Sequence, residues 1–181
     1  VMFKRALHRW GWTERNGYLP LEKARRTCVG AYVGSYIPYE TGHPVEGQPN
    51  LGKVMELTMN NGFDPRTKKQ VGPKTGDPET FKTFEELYAA FEQQLQFNED
   101  VLRRGAWIAS MLCADFLPVP WRALLTGGCI ETGTEVWNGG ANYYTVAQIV
   151  VGGVDAANSL MAMKHLVYDN KKLTMAELKK A

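Results

Sequence analysis

The sequence has few of the residues from which disulfide frameworks and metal clips are built. Its 181 residues include only 3 cysteines and 3 histidines. Cys28, Cys113 and Cys129 are widely spaced and odd in number, which argues against a disulfide framework and against a Cys-x-x-Cys metal clip. We therefore expect a reducing, cytoplasmic setting and no metal site.

The sequence also lacks an excess of one charge and a long apolar run. Lysine and arginine number 21 against 19 acidic residues, and the two signs are interspersed, so there is no basic stripe to bind a phosphate backbone. No signal peptide or membrane-spanning run occurs. We expect neither a nucleic-acid partner nor a membrane, and the 44% of hydrophobic residues is enough for one sizeable core.

Helical periodicity dominates the chain. Helices are predicted over residues 1–10, 51–60 and 121–125, from a Thr83/Glu86 capping box to Leu117, and from Asp155 as N-cap. Apolar runs over 29–37 and 143–151 predict buried strands, and residues 38–49 form a long loop rich in proline. Helices alternating with apolar strands indicate an α/β fold.

Cys28 stands out because it opens the apolar run 29–37. Gly30 and Gly34 leave backbone there that a ligand can approach closely. Free cysteine is usually only a small buried hydrophobe, so a non-catalytic helical scaffold with Cys28 in its core is the alternative.

Ordered sequence blocks downstream of Cys28 carry a family resemblance. They include the segments Pro-Asn-Leu-Gly-Lys-Val at 49–54, Gly-Pro-Lys-Thr-Gly-Asp-Pro at 72–78, Gly-Cys-Ile-Glu at 128–131 and Gly-Gly-Ala-Asn-Tyr-Tyr at 139–144. From about Arg25 to the end the chain resembles the glycyl radical enzymes related to pyruvate formate-lyase. The resemblance implies that residues 1–181 are a single helix-rich segment of a larger ten-stranded α/β barrel. The family's C-terminal Arg-Val-x-Gly-Tyr motif is absent, so this segment alone is expected to have no turnover.

The resemblance also bears on which cysteine would carry the radical. In the family the radical cysteine precedes the Pro-Asn-Leu-Gly-Lys-Val helix, an order that Cys28 matches. We therefore expect Cys28 to be catalytic, with Thr27, Val29 and Gly30 binding substrate. Several members place a general-base glutamate two residues after the cysteine, and Cys129 and Glu131 have this spacing. Because Cys129 follows the Pro-Asn-Leu-Gly-Lys-Val helix instead of preceding it, we do not expect Cys129 to be the radical cysteine.

Gly30 points to a branch of the family. Lyases and decarboxylases that remove a proton usually have glutamate two residues after the radical cysteine, whereas hydrogen-atom abstraction and addition to an alkene need no base. The glycine is similar to the pattern of benzylsuccinate and alkylsuccinate synthases, which implies addition of a hydrocarbon to fumarate. A dehydratase or decarboxylase of the same family is the alternative.

The resemblance implies further components that this segment does not contain. No cofactor is expected to bind the segment itself. A glycyl radical elsewhere in the full chain would be installed by an activating enzyme that uses S-adenosylmethionine and an iron–sulfur cluster. Small accessory subunits are also implied.

Overall fold

The computed structural model describes residues 21–30, 34–42, 47–143 and 149–179. For Leu21 and for residues 28–30 and 34–36 it describes the backbone only. The expected helix over residues 1–10 and most of the expected strand over 143–151 lie outside the described residues.

Helices are the main elements, and the strands are short. The helices are α1 Leu21–Arg26, α2 Leu51–Met59, α3 Phe84–Phe116, α4 Pro120–Leu124, α5 Cys129–Thr132, α6 Gly153–Met163 and α7 Met175–Leu178. Two antiparallel pairs join β1 Cys28–Gly30 to β2 Gly34–Tyr36 and β3 Phe63–Asp64 to β4 Lys69–Gln70. Single turns of 3-10 helix cover Pro78–Thr80 and Val136–Asn138, and a π-helical turn, Lys164–Asp169, continues α6.

The chain divides into two compact units. The first comprises Val1–Glu46 and Ala106–Gln148, and the second comprises Gly47–Gly105 and Ile149–Ala181. Helix α3 contributes its first part to the second unit and its last part to the first. No described helix is both long enough and apolar enough to cross a membrane.

The second unit holds the larger core. Helices α2, α3, α6 and α7 bury seven apolar side chains against one another: Val54, Met55, Leu87, Phe91, Ala156, Met163 and Met175. The start of α3 is fixed by the capping box predicted from the sequence, in which Thr83 Oγ1 accepts from the Glu86 amide at 3.3 Å and Glu86 accepts from the Thr83 amide at 3.3 Å. A local signal and a shared apolar face therefore define this unit.

The first unit differs from the sequence prediction over residues 29–37. The predicted single strand is wrong: the chain reverses, and Cys28, Val29 and Gly30 pair with Tyr36, Ser35 and Gly34 in a hairpin. A run of strand formers favours extended backbone but does not say where it turns. Gly30 and Gly34 form the last described pair of this hairpin.

Two further predictions concern helices. Helix α3 ends at Phe116, one residue before the expected Leu117, because Pro118 follows. Helix α6 begins at Gly153, with Gly152 as its N-cap at a φ of 71°. Asp155 therefore lies in the first turn of α6 and is not its cap, because the left-handed glycine lets the helix start earlier.

Candidate functional site

The turn Gly127-Gly128 in the first unit presents a thiol at the start of helix α5. Gly128 has a φ of 97°, in the left-handed region that glycine tolerates. A Cβ at Gly128 would lie 2.5 Å from the Gly140 carbonyl oxygen and 2.7 Å from Oδ1 of Asn142. Backbone conformation and space both require glycine immediately before Cys129.

Three segments of the first unit are hydrogen-bonded around this turn. The Gly127 amide donates to the carbonyl oxygen of Tyr39 at 2.6 Å, and the Asn142 amide donates to the Gly127 carbonyl oxygen at 3.0 Å. One residue further along these two segments, the Tyr143 amide donates to the Glu40 carbonyl oxygen at 3.0 Å. The turn is thus held from both sides by backbone that is distant in sequence.

Cys129 is the first residue of α5 and is almost completely buried, with 3% of its surface exposed. Its carbonyl oxygen accepts from the Thr134 amide at 3.0 Å. Burial raises the pKa of the Cys129 thiol, and the nearby carboxylates of Glu135 and Glu131 raise it further. The sulfur is therefore kept as a thiol that carries a hydrogen, which suits hydrogen-atom transfer and not nucleophilic attack by a thiolate.

Glu131 follows Cys129 by two residues on the same short helix. Its carboxylate oxygen Oε2 accepts from the Gly128 amide at 2.9 Å. This bond turns the carboxylate back toward the Gly127-Gly128 turn while the residue as a whole is exposed. A carboxylate next to a buried thiol can accept or release a proton beside the sulfur.

A second carboxylate, that of Glu135, closes the same stretch of chain. Its Oε1 accepts from the Val119 amide at 3.1 Å, and its Oε2 accepts from the Trp137 amide at 2.5 Å. The guanidinium carbon of Arg122 lies 5.8 Å from the centre of the Trp137 ring, a cation–π contact between the same two ends. Helix α4, the glycine turn and α5 all lie between these contacts.

The structure does not test the roles predicted for Cys28 and its neighbours. Cys28, Val29 and Gly30 form β1, but their side chains lie outside the described part of the structure. Thr27 is half-buried, and its hydroxyl donates to the Lys23 carbonyl oxygen at 3.1 Å. A catalytic role for Cys28, with substrate bound by its neighbours, stays a prediction.

Glu135 and Tyr39 were not singled out from the sequence. For Glu135 a signal does exist, since prolines at 118 and 120 leave Val119 as the one amide of that stretch in need of an acceptor. Tyr39 carries no local signal, because its contact with Gly127 is made only in the folded chain. Within the described residues no group of three or more histidine, cysteine or acidic side chains could hold a metal ion.

Comparisons with known proteins bear on this site. Residues 13–181 match the family described as PFL-like, pyruvate formate lyase-like. Trans-4-hydroxy-L-proline dehydratase of Clostridioides difficile is 42% identical over 161 residues, which are 89% of this chain and 20% of that protein. Indoleacetate decarboxylase of Tractidigestivibacter scatoligenes is 30% identical over 175 residues, 94% of this chain and 19% of that protein.

A solved structure agrees with these relatives. The glycerol-bound form of the B12-independent glycerol dehydratase from Clostridium butyricum matches with a TM-score of 0.86 and 31% identity, over 98% of this chain and 22% of that one. The chain thus spans about a fifth of the length of the proteins it matches. The predicted fold class, a helix-rich segment of the ten-stranded α/β barrel of glycyl radical enzymes, is confirmed.

Proposed function

The chain belongs to the pyruvate formate lyase-like family, and on that premise we propose that it forms part of the active site of a glycyl radical lyase. The proposed reaction is an elimination, of water or of carbon dioxide, from a small polar substrate. Residues 1–181 would be one segment of a larger catalytic barrel domain. The relatives described above are named as two dehydratases and a decarboxylase, which favours elimination over hydrocarbon addition.

One observation carries the proposal: a buried thiol, Cys129, has a carboxylate two residues further on, that of Glu131. Elimination requires a proton to move as well as a hydrogen atom, so a base is needed next to the sulfur. Among the cysteines of the sequence, only Cys129 has a glutamate at this spacing, whereas Cys28 is followed by Gly30 and Cys113 by Asp115. Since Cys113 is only partly buried near the end of α3, we assign the hydrogen transfer to Cys129.

The sulfur's environment supports this role. Burial and two nearby carboxylates raise the pKa of Cys129, so the S–H bond persists at neutral pH and a hydrogen atom is available for transfer. A buried site also excludes water and other hydrogen donors that would quench a sulfur radical. These properties fit a partner radical held elsewhere in the longer protein, and a glycyl radical would supply the unpaired electron.

For a dehydration the steps balance as follows. The sulfur radical of Cys129 takes a hydrogen atom from the substrate carbon next to the one that bears the leaving hydroxyl. Glu131 takes the proton of a heteroatom on that radical carbon and delivers it to the hydroxyl, which leaves as water with the electron pair of its C–O bond. The neighbouring carbon then holds the unpaired electron and recovers a hydrogen atom from Cys129, which is a radical again.

Fumarate addition is the second candidate function. The observation that favours it is the glycine two residues after Cys28, because addition of a C–H bond across fumarate moves no proton. None of the three relatives described above is named as an enzyme that adds a substrate to fumarate. In this second scheme Cys28 would act on a hydrocarbon, and Thr27, Val29 and Gly30 would line its pocket.

Both candidates need the same external components. We propose that a radical S-adenosylmethionine enzyme with an iron–sulfur cluster installs the glycyl radical on the longer protein. Small accessory subunits, implied by the family resemblance, are part of the proposal in both schemes.

The test compares cysteine variants of the full-length, anaerobically activated protein. Cys129→Ala, Cys28→Ala and the control Cys113→Ala are each assayed for the glycyl radical by electron paramagnetic resonance. Product formation is measured by mass spectrometry with trans-4-hydroxy-L-proline, glycerol, indoleacetate, and toluene with fumarate. We expect Cys129→Ala to keep the glycyl radical and lose all turnover, and Cys113→Ala to resemble the wild type.

The outcomes separate the two candidates. Turnover in Cys129→Ala would overturn the assignment of the hydrogen transfer to Cys129. A succinate adduct that the wild type forms and Cys28→Ala does not would overturn the proposal in favour of Cys28 and fumarate addition. Glu131→Gln is expected to keep the radical but to lower elimination by at least about 100-fold, the usual contribution of a general base. Glu92→Gln, on the exposed face of α3, is the matched control.

A further inference from the structure

Glu135 links the two ends of the segment that presents Cys129. Pro118 and Pro120 lack amide hydrogens, so Val119 has the only backbone donor between them. Val119 is also the N-cap of α4, a position at which its own side chain forms no capping bond. Glu135 Oε1 accepts from this amide at 3.1 Å and fixes the start of α4.

The other carboxylate oxygen of Glu135 fixes the far end. Oε2 accepts from the Trp137 amide at 2.5 Å, and the Glu135 carbonyl oxygen accepts from the Asn138 and Gly140 amides at 3.0 Å each. The Gly140 carbonyl oxygen is in turn the atom that a side chain at Gly128 would meet. One half-buried side chain therefore connects the entry to α4 with the backbone that lies against the turn before Cys129.

We propose that Glu135 is a positioning residue for Cys129, acting through the segment 119–137 that its carboxylate closes. The inference deepens the proposed function, because it rests on Cys129 being the reactive sulfur. Glu135 does not itself touch the substrate. It holds α4, the glycine turn and α5 as one loop, so that the sulfur stays buried and correctly directed.

Charge gives the same residue a second effect on the thiol. Among the described residues, the charged groups near Cys129 include Glu131 on α5, Glu135 after it and Arg122 on the packed helix α4, whose guanidinium lies by Trp137. On the other side of the turn, Glu40 lies against Gly127, and its carboxylate is paired with Lys23 and Arg26. Burial contributes most to the raised pKa of Cys129, and the charge of Glu135 contributes next. Removing its charge should lower that pKa, so that Cys129 ionises at a lower pH.

The first experiment uses the full-length, unactivated protein and needs no turnover. Hydrogen exchange followed by mass spectrometry is compared for the wild type, Glu135→Gln and the control Glu92→Gln. The amide of glutamine can accept at one atom only, so one of the two backbone bonds is lost. We expect exchange to rise at least about tenfold in peptides that cover Val119 or Trp137, with the core of α2 and α6 unchanged.

The second experiment measures alkylation of each cysteine by iodoacetamide against pH. In Glu135→Gln the midpoint for Cys129 is expected to fall below that of the wild type, and alkylation of Cys113 in the same sample is the internal reference. Glu135→Asp retains the charge but is too short to reach both amides. It should keep the midpoint closer to that of the wild type yet show the same rise in exchange.

The results separate this proposal from the proposed function. Unchanged exchange and an unchanged Cys129 midpoint in Glu135→Gln would overturn the positioning role, whatever the activity. A rise in exchange across the whole protein would also overturn it, because that result indicates general destabilisation. If both effects occur but Cys129→Ala keeps turnover in the activated enzyme, the linkage of Glu135 to Cys129 stands and the assignment of the reactive sulfur fails.

Discussion

The Gly127 amide donates a 2.6 Å hydrogen bond to the carbonyl oxygen of Tyr39, a residue in the left-handed region with a φ of 64°. A bulky residue in this conformation is strained, since its Cβ crowds its own backbone. The Tyr39 ring offers no compensation by burial, because 76% of the residue is exposed. The strain is therefore maintained by the backbone bonds that hold Tyr39 against the turn before Cys129.

Substitutions at Tyr39 should reveal this strain. Tyr39→Asn is expected to raise the free energy of unfolding slightly, because asparagine enters the left-handed region more readily. Tyr39→Ile should lower it by about 1 kcal/mol or more, since a β-branched residue fits there worst. Urea unfolding of the full-length protein measures both. Equal stability of the two variants would contradict the strain.

Two glycines at positive φ, one at each end of α5, allow the packing around Cys129 to be tested. Gly133 lies in the left-handed αL region with a ψ of 27°, whereas Gly128, with a ψ of -31°, lies outside it. Gly133 has a φ of 60° with open space beyond it, whereas a Cβ at Gly128 would collide with the Gly140 carbonyl oxygen at 2.5 Å. Gly133→Ala should cost about 1–2 kcal/mol for the left-handed backbone alone. Gly128→Ala should cost about 1–3 kcal/mol more and increase alkylation of Cys129. Equal costs would show that the contact with Gly140 is not tight.

The ion pair between Lys53 and Asp64 predicts a pH dependence of stability in the second unit. The Asp64 carboxylate accepts hydrogen bonds from the Lys53 ammonium, the Thr67 hydroxyl and the Arg66 amide. These bonds, of which the one from Lys53 has the largest effect, lower the pKa of Asp64 from 3.8 to about 2. Because the pKa is lower in the folded state, this contribution is present above pH 3.8 and is lost as the pH falls through about 2.

Lys53→Met should therefore flatten the loss of stability between pH 4 and pH 2, and it should lower stability at pH 7. Lys82→Met, at an exposed position, is the control. Urea midpoints measured across that pH range are the readout. An identical pH profile in Lys53→Met and the wild type would exclude a stabilising role for this pair.

Gly72 and Gly105 form another matched pair, in the second unit. A Cβ at Gly72 would collide with Oε1 of Gln94, a side chain held in place because its Nε2 donates to the Pro73 carbonyl oxygen at 2.7 Å and to Thr75 Oγ1 at 3.0 Å. Gly105 lies in α3 with no atom near the added Cβ. Gly72→Ala should lower the free energy of unfolding by about 1–3 kcal/mol, and Gly105→Ala should raise it by about 0.5–1 kcal/mol. Thermal unfolding that shows the same sign for both would refute the difference.

The sequence predicted what local chemistry determines. The Thr83/Glu86 capping box located the start of α3, and Pro118 located its end. The single strand over 29–37 failed because composition cannot show where an extended run folds back on itself, and Asp155 failed as a cap because Gly152 needs no side chain to start a helix. The contacts around Cys129 could not be predicted from local sequence, because Tyr39 and Gly140 approach Gly127 and Gly128 only in the folded chain.

The bond between Tyr39 and Gly127 also has a consequence for the order in which the protein folds. Contacts between residues far apart in sequence require a long loop to close, so they form late. During synthesis the Tyr39 segment emerges well before the chain that contains Gly127, Cys129 and Tyr143 has been made. The pieces around Cys129 therefore come together near the end of folding, and until that time the thiol is open to solvent and oxidants.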